Sequence, residues 1–228
     1  MTKYHKRVVQ LIKDANPKAA VCCQIAHAGT NGGAEHKLDI NTATEAEIIE
    51  LIHDFAQAAR RAEEAGYDMV QIHSAHTYFL SQSISDYYNK RTDQYRASDF
   101  LVLAKVLEAV KGAVKIPVGV KLQCDDFLGG YTMNAEQAVK IVSTLAFDFV
   151  EISGGGFSNP PAAKTTIRKG TEDHYYYRHI VEAFKNAGLL EKQPVICTGG
   201  FASAKEAEEA LGDGCAMVGF SRKWLRND

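Results

Sequence analysis

No Cys-x-x-Cys pair occurs in the 228-residue sequence, and its five cysteines (Cys22, Cys23, Cys124, Cys197 and Cys215) are an odd number. This argues against a disulfide framework and against a structural metal site. Four of them lie in or beside apolar runs, where a thiol behaves as a small hydrophobe. Reduced core residues of a cytoplasmic protein are therefore expected. No excess of one charge is present either. The formal net charge is −2 and Lys and Arg are scattered, so neither nucleic acid nor an anionic membrane is an expected partner. No stretch approaches the ~18 consecutive apolar residues of a membrane span. The opening "MTKYHKRVVQLIKDANP" is charged and helically periodic, unlike a secretory signal. Linkers and low-complexity tracts are missing too, which predicts a single domain over 1–228.

What is present alternates. Short runs rich in Val and Ile stand at "AAVCCQIA" (19–26), "DMVQIH" (68–73), "IPVGVKL" (116–122), "FDFVEIS" (147–153), "QPVICTGG" (193–200) and "CAMVGF" (215–220). Near-continuous apolar runs suit strands of a parallel sheet buried on both faces. Between them lie segments of 3.6-residue period. In "EAEIIELIHDFAQAARRAEEAG" one stripe holds Ile48, Leu51, Ile52, Phe55, Ala58 and Ala59, and Gly66 is placed as a left-handed C-cap. "ASDFLVLAKVLEAVKGA", "NAEQAVKIVSTLA" (with Asn134 as N-cap), "EDHYYYRHIVEAFKNAG" and "SAKEAEEALGDG" repeat the form. Such alternation means βα units. The loops leaving the strands' C-terminal ends hold most of the Gly, His, Tyr and Asn, and the return loops are short. This favours an α/β fold of the TIM (β/α)8 type over a doubly wound sheet. A closed barrel needs eight strands; six are found, preceded by a helix at about 4–14. The barrel is thus expected to be incomplete.

Candidate chemistry collects at those C-terminal ends. "IHSAHTYFLSQ" places His73, His76 and Tyr78 within six positions of one another. Two neutral imidazoles can donate to one carbonyl oxygen and polarise it, and a phenol beside them is a usable proton donor. Metal binding is the weaker reading, since no acidic or Cys ligand is near in sequence. Gln24, near the end of its strand, offers a donor and an acceptor to a heterocycle's edge, or is a satisfied core amide. Lys121, a cation in an apolar strand, faces an anion or electron-rich ligand, or snorkels to water. Gly199 and Gly200, following Thr198, form either a plain tight turn or a phosphate site. Arg222, next to Ser221 where a second loop converges, favours the phosphate.

"AARRAEEAGYDMVQIHSAHTYFLSQSISDYYNKRTDQY" closely resembles the central signature of the old yellow enzyme family, the FMN-dependent NAD(P)H:flavin oxidoreductases and ene-reductases. "QIAHAG", "VGVKLQCDDF", "VEISGGG", "TGGF" and "GFSR" follow in that family's order, so the resemblance spans nearly the whole chain. It implies a TIM barrel with FMN at its C-terminal mouth. Gln24 would hydrogen-bond the flavin ring, and Lys121 would stand near its N1/O2 edge. Gly199, Gly200, Ser221 and Arg222 would hold the phosphate. His73 and His76 would bind a substrate carbonyl or phenolate oxygen, and Tyr78 would protonate the α-carbon. NADH or NADPH would be the reductant and an electrophilic alkene or carbonyl compound the substrate.

The sequence also departs from that pattern. Two βα units that the family carries before the first strand have no counterpart, nor does its closing helix after the last. A segment after Tyr95 is deleted, and Ser221 stands where a glycine is expected. "AAVCCQIA" and "CAMVGF" are therefore expected as open sheet edges, prone to self-association. The readings left open are a piece of a longer enzyme, a barrel closed by a partner chain or homo-oligomer, and a non-catalytic remnant that no longer binds FMN. An aldolase-type barrel using Lys121 as a Schiff base is a further, weaker alternative.

Overall fold

The computed structural model describes residues 2–127, 133–155 and 174–220. Six parallel strands pair in chain order: β1 (Cys22–Ile25), β2 (Met69–Ser74), β3 (Val118–Asp125), β4 (Val150–Gly154), β5 (Val195–Thr198) and β6 (Met217–Gly219). The helices are α1 (Thr2–Ala15), α2 (Glu45–Ala65), α3 (Phe79–Ser83), α4 (Leu101–Ala113), α5 (Ala135–Thr144), α6 (Arg178–Asn186) and α7 (Ala204–Gly212). The result is an open half-barrel, with β1 and β6 as its edges among the described residues.

The central strands β2, β3 and β4 are buried on both faces, as their near-continuous apolar runs suggest, but the two faces differ in chemistry. Val70, Ile72, Val118, Val120, Leu122, Cys124, Val150, Ile152, Val195 and Cys197 are all buried. They occupy alternate positions, on the face that meets the helices. Each such branched side chain contributes on the order of 1.5–3 kcal/mol when taken out of water. The intervening positions carry Gln71, His73, Lys121, Gln123, Glu151, Ser153 and Thr198. These line the inner face of the half-barrel, where the polar groups bond to one another.

The helix reading holds for α2. Ile48, Leu51, Phe55 and Ala59 are buried along one stripe. Gly66 adopts φ 92° and takes the left-handed cap. A capping box at its start escaped the sequence reading: the Thr44 side chain accepts from the Glu47 amide, and Glu47 answers the Thr44 amide. Asn134 caps α5 by accepting from the Gln137 amide at 3.1 Å. Two helices are shorter than their periodicity suggests. α4 begins only at Leu101, after a 3-10 turn and a left-handed Phe100. α6 begins at Arg178, because Tyr175 and Tyr177 are buried in the core and Tyr175 has φ 51°. The short α3, inside the histidine stretch, has no amphipathic pattern, and all five of its residues are buried.

An aspartate fixes the strand starts by the same device twice. Asp68, just before β2, accepts from the Val21 amide at 2.7 Å, and Asp148, before β4, accepts from the Val118 amide at 2.7 Å. Each links a return loop to the neighbouring strand. Cys124, Cys197 and Cys215 are buried free thiols, as expected; Cys22 is exposed because it stands on the β1 edge. No helix among the described residues is long and apolar enough to cross a membrane.

Candidate active site

The parallel register places the inner-face polar residues side by side. Gln24 pairs with Gln71 across β1 and β2, His73 with Lys121 across β2 and β3, and Lys121 with Glu151 across β3 and β4. One hydrogen-bonded row follows. Lys121 Nζ donates to Glu151 Oε1 at 2.7 Å, Gln71 Nε2 donates to Glu151 Oε2 at 2.8 Å, and Gln24 Nε2 donates to Gln71 Oε1 at 2.5 Å. The anion that Lys121 was expected to face is therefore its own chain's Glu151. The two side chains are only 16% and 13% exposed. Burial raises the Glu151 pKa, but the Lys121 charge and hydrogen bonds from Lys121, Gln71 and Thr198 outweigh it and hold the carboxyl below its ordinary value.

The row has a direction. A carboxylate only accepts, so the Gln71 amide must turn its NH2 to Glu151 and its oxygen to Gln24. Gln24 then spends its NH2 on Gln71, and its Oε1 is the end of the row. Gln24 is exposed at the sheet edge, so the row presents a hydrogen-bond acceptor at one end and a cation at the other.

Above this row the three residues of the histidine stretch come together. The rings of His73 and His76 lie 5.1 Å apart between centroids, and those of His73 and Tyr78 4.9 Å. His73 Nε2 and His76 Nδ1 share a hydrogen bond of 3.2 Å, and His76 Nε2 meets Ser153 Oγ at 2.7 Å. His73 Nδ1 is buried with no partner among the described residues. An orphaned N–H is harder to tolerate than an orphaned lone pair, which assigns the His73 proton to Nε2 and the His76 proton to Nε2. Burial, followed by the Lys121 charge, lowers His73 to about 4; burial, then His73 and Lys121, lowers His76 to about 3. Both imidazoles are neutral at physiological pH, as a pair of polarising donors must be. They do not converge on open space as they stand. An incoming oxygen atom would take over N–H groups now spent on His76 and Ser153.

The loop after β1 supports this arrangement. The Phe79 amide donates to His27 O at 3.0 Å, and Asn31 Nδ2 donates to Thr77 O at 2.8 Å. Gly29 leaves no room for a side chain there, since a Cβ would sit 3.0 Å from the Phe79 backbone.

The glycine pair lies farther along, at the end of β5. Gly199 and Gly200 have φ 111° and 80°, values that favour glycine. The Gly199 amide donates to Gly219 O at 3.3 Å. The Tyr176 ring rests on the pair: a Cβ on Gly199 would lie 2.6 Å from its hydroxyl, and one on Gly200 2.5 Å from its ring carbons. The cradle that a phosphate would use is thus covered by Tyr176. Ser221 and Arg222 lie outside the described residues. A flavin's ring end accordingly fits the inner row, which offers an acceptor, a cation and two neutral donors. Its phosphate end fits once Tyr176 moves aside.

Gln71, Gln123, Glu151 and Ser153 were not singled out from the sequence. Their signal was the polar residue at every second place in "MVQIHS", "VKLQCD" and "VEISGG". A cleft of about 720 Å³ opens elsewhere, between the loop after β1 and α2. Charged groups such as Glu35, Lys37, Glu50, Asp54 and Arg61 line it, and none of His73, His76, Tyr78, Lys121, Glu151 and the glycine pair does.

Known proteins resemble this chain in sequence and in fold. The chain is 32% identical over 192 residues to an NADPH dehydrogenase of Clostridium acetobutylicum, covering 81% of this chain and 53% of that protein. It is 29% identical over 191 residues to the NADH-dependent flavin oxidoreductase iliE of Hypocrea jecorina, covering 78% and 47%. The chain spans about half the length of these relatives. Its fold superimposes on a 2-naphthoyl-CoA reductase in complex with 2-naphthoyl-CoA, with a TM-score of 0.81 at 19% identity over 96% of this chain and 38% of that one. A morphinone reductase mutant in complex with tetrahydroNAD gives a TM-score of 0.73 at 20% identity, over 98% and 67%. The sequence pattern of one family, described as NADH:flavin oxidoreductase / NADH oxidase, matches residues 9–228, and the chain belongs to that family.

Proposed function

We propose that this chain is an FMN-dependent oxidoreductase, or a part of one, that reduces electrophilic alkenes of the enone type, with NADH or NADPH as reductant. The observation that carries the reading is the directed row Gln24–Gln71–Glu151–Lys121 lying against two neutral imidazoles and Tyr78. When bound, FMN supplies the hydride chemistry between nicotinamide and substrate. Gln24 would accept from a ring N–H through Oε1, and Lys121 would face the ring's electron-rich edge. Gly199 and Gly200 would take the phosphate, together with Ser221 and Arg222.

His73 and His76 would donate to the substrate's carbonyl or phenolate oxygen. Being neutral, each gives one N–H to the oxygen and polarises it through hydrogen bonding. Tyr78 would deliver the proton from Oη to the α-carbon, completing the addition of a hydride and a proton across the double bond. The alternative use of Lys121 as a Schiff-base nucleophile loses its ground, because the chain belongs to a flavin oxidoreductase family.

The test is a visible spectrum of the purified chain after FMN is added and the excess removed. A retained, protein-perturbed flavin spectrum is the expected result; a colourless, cooperatively folded chain would favour the non-catalytic remnant instead, and a colourless aggregate a piece of a longer enzyme. In a flavin-loaded chain, Tyr78→Phe should slow substrate reduction by ~10²–10⁴ while sparing flavin reduction by nicotinamide. Equal loss in both half-reactions would remove Tyr78 as the proton donor.

A further inference from the structure

His76 and Thr77 both adopt left-handed backbone, with φ 59° and 58°. This is uncommon for any non-glycine residue and an outlier for β-branched threonine. Such conformations persist where the surroundings over-determine them, and they cluster at functional sites. Here the surroundings can be named. Gln82 Nε2 and Asn31 Nδ2 both donate to Thr77 O, at 2.7 and 2.8 Å. The His76 amide donates to Gln123 Oε1 at 2.8 Å, from the side chain of a residue in β3 that is 1% exposed.

An amide can be built either way round, and only one way round accepts from His76. The choice is made behind Gln123. Its Nε2 donates to Asp126 Oδ1 at 2.6 Å and to Gly155 O at 2.7 Å, and both of these oxygens only accept. Asp126 is also 1% exposed. Its Oδ2 accepts from the Met133 amide at 3.0 Å and from Ser85 Oγ at 3.4 Å, which ties the carboxylate to the loop before α5 and to the segment after α3.

We propose that Gln123, oriented by Asp126, is a positioning residue. It holds the His76 backbone in its left-handed conformation, which brings that imidazole onto His73 and Ser153. Neither Gln123 nor Asp126 touches the reacting atoms. They act through His76, and the inference rests on reading His73, His76 and Tyr78 as the substrate site. A clamp of this kind explains why two polar side chains lie at full burial under the histidine loop, where apolar ones would pack as well.

The experiment uses the full chain without flavin, so its outcome does not depend on whether FMN binds. Gln123→Met roughly keeps the volume and removes both the oxygen and the NH2 of the amide. The titrations of His73 and His76 are followed by NMR, and binding of 4-nitrophenol is measured at one fixed pH. Lys121 and Glu151, the charged groups that also bear on the His73 titration, are left intact by this variant. The expected result is that both imidazoles titrate closer to the ordinary histidine value, and that phenol binding weakens roughly ten-fold, the scale of one net hydrogen bond.

A merely structural amide would lower the melting temperature and leave the histidine titrations where they are; that result overturns the proposal. If Gln123→Met does not fold, Asp126→Asn is measured in the same way. An asparagine there keeps its oxygen on the Met133 amide and turns its NH2 against the Gln123 NH2, leaving only Gly155 O to orient Gln123, and unshifted histidines then overturn the role given to Asp126. Loss of folding in both variants would make the pair a structural element and count equally against it. Shifted histidines in a chain that retains no flavin would leave the clamp standing and remove the redox reading.

Discussion

Glu151 is where the ion pair, the amide row and the proposed cofactor edge meet, and Glu151→Gln separates them. The substitution keeps the side chain's shape. Its oxygen can still accept from Lys121, but its NH2 then faces the Gln71 NH2, so Gln71 and Gln24 must turn over or lose their bonds. Lys121 keeps its charge and loses the compensating one, in a place where the two side chains are 16% and 13% exposed. Breaking a buried pair from one side costs ~3–5 kcal/mol. The residual exposure and the surviving amide contact bring the expected loss to ~2–4 kcal/mol. In a domain of this size that lowers the melting temperature by roughly 4–16 °C.

The pH dependence gives the sign. Glu151 is held below its ordinary value in the folded chain, so its contribution is present above the unfolded carboxylate value of ~4.3 and is lost as pH falls through the folded pKa. Thermal unfolding of wild type and Glu151→Gln from about pH 7 to pH 3 should therefore show a constant gap at neutral pH that closes in acid. The gap should close or reverse in a Lys121→Met background, where Glu151 is itself the uncompensated buried charge that the glutamine removes. A neutral-pH difference under ~0.5 kcal/mol, within the range of ordinary surface substitutions, would refute the reasoning. So would a gap that persists unchanged to pH 3.

The neutral histidines make a separate prediction. Unfolded imidazoles take up protons near ~6.5, whereas His73 and His76 resist until about 4 and about 3. The unfolded state thus binds more protons in between, and stability falls as pH drops below ~6.5. Urea unfolding of His73→Asn with His76→Asn should show a weaker slope in that window, and an unchanged slope would mean the rings are not held neutral. Gly119→Ala should destabilise by ~1–3 kcal/mol, because its Cβ would fall 2.3 Å from Phe149 Cε2. Adding Phe149→Leu should restore part of the loss, and a fully stable Gly119→Ala would show that Phe149 is free to move away. Tyr176→Ala should strengthen FMN binding by about ten-fold, the worth of ~1.4 kcal/mol in displacing the ring, and leave riboflavin binding unchanged. Equal gains for both ligands would show that Tyr176 does not compete with the phosphate.

Much of this molecule is written along its sequence, for a local reason. Helix stripes, the Gly66 and Asn134 caps and the six Val/Ile-rich runs depend on neighbours within a turn or two, so periodicity finds them. His73, His76 and Tyr78 are also near one another in the chain, and that they come together is legible there. The inner row is not, because its members come from four strands: Gln24, Gln71, Lys121 and Glu151 span 128 positions, from 24 to 151. Each looks like a single polar interruption in an apolar run until the parallel register sets them abreast. Only the tertiary structure makes Glu151 the partner of Lys121, gives the amides their direction, lays Tyr176 over the glycine pair and brings Gln123 under His76. Those contacts decide charge, donor polarity and backbone conformation at the site. Each is a relation between residues far apart in the chain, which periodicity does not record.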